Sequence, residues 1–211
     1  MATKRAREER VKEDKERRYG LAVKSLRNFP LIAIGISVLF LMLFLLDFGY
    51  IYNTGMNSGK GGIEVHFSGF NAFFAMITGG YSSADKIYGD IAVPFYYYAK
   101  DHTVIICVFS FIAILFTVSD IVVSVLNVAL KKPFLSVVSL CLKTLTFISA
   151  LVAFIAALAM ANSQILPVYC SGNPACSIKS LAIIPAIIAA IGAAISAIAS
   201  VKFFKAKKIL K

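Results

Sequence analysis

The sequence predicts an all-α membrane protein: a four-helix transmembrane bundle with both termini in the cytoplasm. Three observations carry that prediction. Of 211 residues, 59% are hydrophobic and only 16% charged, where soluble domains carry about a quarter charged residues. The apolar residues fall into four long blocks, and each is long enough to cross a hydrocarbon core of about 30 Å, which takes roughly 20 residues. Eighteen of the 22 basic residues gather beside the block ends that belong on one side, which the positive-inside rule assigns to the cytoplasm. This composition excludes an ordinary soluble enzyme, a disordered tail and a small disulfide-rich secreted domain. No block alternates with a period of two, which excludes a barrel.

Residues 1–29 form a charged cytoplasmic arm. Its pairs Glu8–Lys12, Glu13–Arg17 and Asp14–Arg18 stand at i,i+4 spacing, so the arm is expected to be partly helical. Interspersed glutamates argue against a purely lipid-binding arm, and no aromatic residue interleaves the charges of residues 4–18 as nucleic-acid binding would require. The first span is placed at 30–52, with Pro30 in its first turn, where a missing N–H costs nothing. An uncleaved signal anchor is expected, since no small-residue cleavage site follows the block.

An outer loop follows at 53–102, too long for a plain connection and so expected to be partly structured. Ile63, Val65 and Phe67 alternate with Glu64, His66 and Ser68, the pattern of a short half-buried strand. Residues 69–77 are apolar but too short to span, and suit a short helix in or near the interface. Seven of the nine tyrosines lie in or beside this loop. They fit either an aromatic belt at headgroup level or a recognition surface. Phe70, Phe73, Phe74, Tyr96, Tyr97 and Tyr98 are the recognition candidates.

The second span, 103–130, carries Asp120; a turn at 131–133 leads to the third, 134–161, which carries Lys143. Both charges stand 11.5 residues from the centre of that turn, and so at one depth, about 17 Å along an antiparallel hairpin. Charges that deep are costly alone and usually pair inside a bundle. An Asp120–Lys143 ion pair clamping the second and third spans is therefore expected, with an ion or proton pathway as the alternative.

A short outer loop, 162–178, holds Cys170 and Cys176 around a Gly-Asn-Pro turn. In an oxidising compartment these suit a structural disulfide. The fourth span, 179–201, is built from small residues. Ala182, Ala186, Ala190 and Ala194 form one i,i+4 row, and Gly192, Ser196 and Ser200 another. Such rows let helix backbones approach closely in lipid, within one chain or between copies. Pro185 is a candidate kink, and a basic cytoplasmic tail closes the chain at 202–211.

Catalytic signals are thin. His66 and His102 are isolated, and no metal-binding, cofactor-binding or phosphate-binding motif is present. In helix count and outward cysteines the chain resembles four-helix, quinone-linked thiol oxidoreductases, yet it lacks their CxxC. In layout it is similar to tetraspan proteins such as claudins, yet it has no Trp and no cysteine in the first outer loop. Neither resemblance carries a residue across. Serines and Thr117 on the second span give only a broken polar stripe. The expectation is a non-enzymatic tetraspan, without metal or cofactor, in a plasma or bacterial inner membrane. It would bind lipid and either a membrane partner or further copies of itself, but no nucleic acid. A homo-oligomeric channel or transporter subunit is the alternative, and a thiol oxidoreductase using Cys170 and Cys176 the lesser one.

Overall fold

The computed structural model describes residues 2–24, 26, 28–53, 63–78, 93–130, 132, 134–161, 176–178 and 180–210. Its elements are α1 (Ala2–Lys24), α2 (Phe29–Phe44), β1 (Asp47–Asn53), β2 (Ile63–Ser68), α3 (Gly69–Thr78), α4 (Val93–Leu130), α5 (Leu135–Ala161), β3 (Cys176–Ile178), a 3-10 turn (Ser180–Ile183) and α6 (Ile184–Leu210). Val104–Leu130, Leu135–Ala159 and Ile184–Lys208 are each long and apolar enough to cross a membrane, and α2 is a shorter apolar helix. The chain is a helical membrane bundle.

The bundle is a square. α4 packs on α5, α5 on α6, α6 on α2 and α2 on α4, with α2 and α5 across the diagonal. Each helix buries a stripe at helical period, such as Ala33, Ser37, Phe40 and Phe44 on α2. The exposed faces are strongly apolar, with Leu31 and Met42 on α2, Leu115 and Val122 on α4, Ile155 on α5 and Ile191 on α6. Water would strip such a surface of its stability; hydrocarbon is the solvent it matches.

The chain departs from the sequence reading at both ends of the first outer loop. α2 stops at Phe44 rather than running to residue 52. Leu45 and Leu46 donate to the carbonyls three residues back, tightening the last turn. Residues 47–53 then pair as a strand with β2 on one side and β3 on the other, both antiparallel. Sixteen residues of helix rise only about 24 Å, so α2 alone is shorter than a typical hydrocarbon core. At the far end of the loop, residues 93–102 are the first turns of α4, with Pro94 at the second helical position. There its lost N–H and fixed φ suit a helix start.

The alternating residues 63–68 form β2, and 69–78 form the short helix α3. Ser68 caps α3, its Oγ accepting the Asn71 N–H at 3.2 Å, which satisfies one otherwise orphaned donor of the first turn. Phe70, Phe73 and Met76 pack on the core, and the Phe73 ring stacks on Phe111 of α4 at 5.4 Å. Beside them the Phe40 and Phe44 rings stack at 5.0 Å.

At the other end of the bundle, α1 packs against α6. Lys202 lies over the Phe29 ring, 5.1 Å from its centroid. α6 continues unbroken through the basic tail to Leu210, and Pro185 sits in its first turn rather than at a kink. α5 and α6 pack together, and many of their buried residues are small: Ala150, Ala153, Ala157, Ala186 and Ala189. Ala157 is fully buried. Ala157→Leu is therefore expected to cost about 1–3 kcal/mol by overpacking, read as a lower melting temperature of the purified protein.

Candidate functional site

The site lies where the polar faces of four helices meet. On α4, the residues Ser110, Thr117, Asp120, Ser124 and Asn127 recur at spacings of three, four or seven and are all buried. α5 answers with Ser136, Ser139, Lys143, Thr146 and Ser149, also buried. Ser37 of α2 and Ser196 and Ser200 of α6 complete a polar seam inside an apolar exterior. The stripe that looked broken in the sequence is thus a seam shared by four helices. Ser119, on the same helix, is exposed and stands outside the seam.

At the middle of the seam the structure brings Asp120 and Lys143 together. Lys143 Nζ stands 2.7 Å from Asp120 Oδ2, with side-chain exposures of 5% and 1%. Lys143 also donates to Ser37 Oγ at 2.6 Å and to the Ala33 carbonyl at 3.1 Å. Its three protons thus meet three acceptors. Asp120 is equally occupied: Ser37 donates to Oδ2 at 2.6 Å, and Ser139 to Oδ1 at 2.5 Å. Such full pairing is what permits two charges to leave water.

The pair therefore does more than join α4 to α5. Lys143 spans the diagonal of the square to hold α2, and it does so beneath Gly192 of α6. A Cβ at that glycine would lie 3.1 Å from Lys143 Cδ and 2.9 Å from Ile36 Cγ2. Ser37, Ser139, the Ala33 carbonyl and this role of Gly192 were not legible in the sequence. Serine, alanine and glycine abound in these helices, and nothing local tells which of them faces a charge.

The remaining polar groups link along the same seam. Asn127 Nδ2 donates to Ser136 Oγ at 3.2 Å, and Ser200 Oγ donates to the Ser196 carbonyl at 2.8 Å. Ser139 and Ser196 hydroxyls lie 3.5 Å apart, as do those of Thr117 and Thr146. Ser110 and Ser124 are buried with no hydrogen-bond partner among the described residues. Two small cavities flank the pair, each of about 10 Å³. Ser37, Thr117, Lys143 and Thr146 line the first; Ser124, Asn127, Ser136, Ser139 and Ser196 line the second.

The other candidate residues are dispersed. Ala182, Ala186, Gly192 and Ser196 are buried within the bundle, Ala190 is half-buried and Ala194 exposed. These small residues mostly serve packing inside one chain. Phe70 and Phe73 are half-buried on the core, whereas Phe74 is 56% exposed. Tyr96, Tyr97 and Tyr98 lie in the first turns of α4, and their side chains lie outside the described residues. Cys170 lies outside them as well; Cys176 opens β3, where it pairs with Ile51. Cys107 and Cys141 are free thiols, the first buried and the second exposed. Among the described residues no cluster of His, Cys, Asp or Glu could hold a metal. Compared with known protein families, curated proteins and solved structures, the chain matches none.

Proposed function

We propose that the chain is a four-span membrane protein, with both termini in the cytoplasm, that acts as a non-enzymatic scaffold. One observation supports this best: the two buried charges of the bundle are spent on each other and on neighbouring groups of the chain. All three donors of Lys143 are taken by Asp120, Ser37 and a backbone carbonyl, and Asp120 accepts from Ser37, Ser139 and Lys143. The cavities beside them, of about 10 Å³ each, are far below the roughly 300–1,000 Å³ of small-molecule sites. A bundle locked in this way holds its outer surface rigidly, and a rigid surface suits partner binding.

With most small residues of α6 turned inward, the binding surface of this scaffold is the outer one, where a sheet ties the two outer segments together and α3 exposes Phe74 and Ile77. The four-span count rests on α2 crossing together with α3, which packs against its outer end at Phe44. Orientation rests on the basic residues, since α1, the α4–α5 turn and the tail of α6 share one end. A channel or transporter subunit draws support from the polar seam, but the ion pair interrupts it at mid-depth.

The test is native mass measurement of the protein, released gently from its own membranes. A stoichiometric second protein, or a defined homo-oligomer, is the expected result. A lone monomer at every mild extraction condition would overturn the scaffold.

A further inference from the structure

We propose that the cavity at the α4–α5 turn end is a water-filled vestibule that delivers protons to Asp120, making the Asp120–Lys143 pair a proton-binding site. The cavity has the volume of about one water, and Ser124, Asn127, Ser136, Ser139 and Ser196 put polar groups into a lining otherwise made of apolar residues such as Phe29 and Ile195, so a buried water finds both the room and the partners it needs. Ser124 points to it independently. Its hydroxyl is 1% exposed, lines the cavity and finds no partner among the described residues. An unpaired hydroxyl in a membrane interior is costly, and a water in the cavity removes that cost.

The vestibule touches the pair through one residue. Ser139 lines the cavity and at the same time donates to Asp120 Oδ1 at 2.5 Å. A water that donates to Ser139 Oγ therefore completes a path of two hydrogen bonds. The water O–H bond breaks as a new O–H forms on Ser139, and the original Ser139 proton passes to Asp120 Oδ1. The net change is one proton from the aqueous side, now bonded to the carboxyl. Ser139 is restored, and the hydroxide left in the cavity is neutralised by a hydronium ion of the turn-side solution, which supplies the proton that the carboxyl has gained.

Among the described residues, the groups facing Asp120 are Ser37 from α2, and Ser139 and Lys143 from α5; Ser196 of α6 stands behind Ser139. Lys143 is the one that carries a charge. Protonation of Asp120 therefore removes the anion opposite Lys143 and leaves its ammonium on Ser37 and the Ala33 carbonyl alone. The tie between α4 and α5 weakens while the two bonds of Lys143 to α2 remain, so a proton on the turn side alters how α4 is held in the bundle.

The experiment is infrared spectroscopy on the full chain in lipid nanodiscs after a rapid drop in pH. A protonated-carboxyl band is expected, absent from Asp120→Asn and displaced in Asp120→Glu. Ser124→Val fills the cavity and should slow the band's appearance by about tenfold or more, because the water that carries the proton is displaced. Ser110→Val should leave the rate unchanged, since Ser110 is equally buried and unpartnered but lines neither cavity. If Ser124→Val does not assemble, Ser124→Ala is used, and a rate slower than wild type is expected. Two results overturn the proposal: no Asp120 band at any pH where the amide spectrum stays native, or protonation as fast with the Ser124 hydroxyl removed as with it present.

Discussion

Lys143→Met alone is expected to destabilise the bundle by about 3–5 kcal/mol, the usual cost of stranding one buried partner of an ion pair. The substitution keeps the length and apolar stem of the side chain, so the loss is electrostatic rather than steric. It leaves the Asp120 carboxylate 1% exposed, with only two serine hydroxyls to hold it. It also removes the bond to the Ala33 carbonyl that reaches α2. Asp120→Asn should be destabilising for the reciprocal reason, since an ammonium then faces an uncharged amide. The double variant removes both charges and is expected to recover much of the loss, because neutral groups of similar volume are often tolerated where a lone charge is not. Thermal unfolding of the four proteins in one detergent measures the coupling. A double variant as unstable as the sum of the two singles would show that the pair contributes nothing as a pair.

Gly69→Ala is the second large effect expected, at about 1–3 kcal/mol of overpacking. A Cβ there would sit 2.4 Å from two atoms of the Phe44 ring and 2.7 Å from a third. The ring has little freedom to retreat: it is 1% exposed and stacks on Phe40. This is where α3 meets the end of α2, so the strain falls on the joint that supplements the short first helix. Shortening the ring in Phe44→Leu opens space at a separate cost in packing. The combined variant should therefore be less unstable than the two single losses added together. Full additivity, read from melting temperatures, would place Gly69 and Phe44 in separate environments and contradict the contact.

Much of the architecture was legible along the chain because hydropathy is a local property. Four apolar blocks, the alternating residues of β2 and the short apolar run of α3 each announce themselves within a dozen residues. The shared depth of Asp120 and Lys143 followed from counting outward from one turn, which needs only the rise of a helix. The ends of α2 and α4 did not follow. Residues 47–52 continue an apolar run, and nothing near them shows that they pair with 63–68 and 176–178. Residues 93–102 carry Lys100 and Asp101, which end a hydropathy plateau without ending a helix.

The sequence by itself therefore determined that this chain lives in a bilayer, which segments are apolar helices and which two charges lie at one level. These are consequences of composition and of one-dimensional spacing. Only the tertiary structure decided that Lys143 spans the bundle to Ser37 and Ala33, passing under Gly192, and that scattered serines and threonines form a continuous seam. Small and weakly polar residues occur on every face of these helices. Which of them meet is set by how four helices rotate against one another, and that rotation is settled by burying all the polar stripes at once while leaving the apolar faces outward.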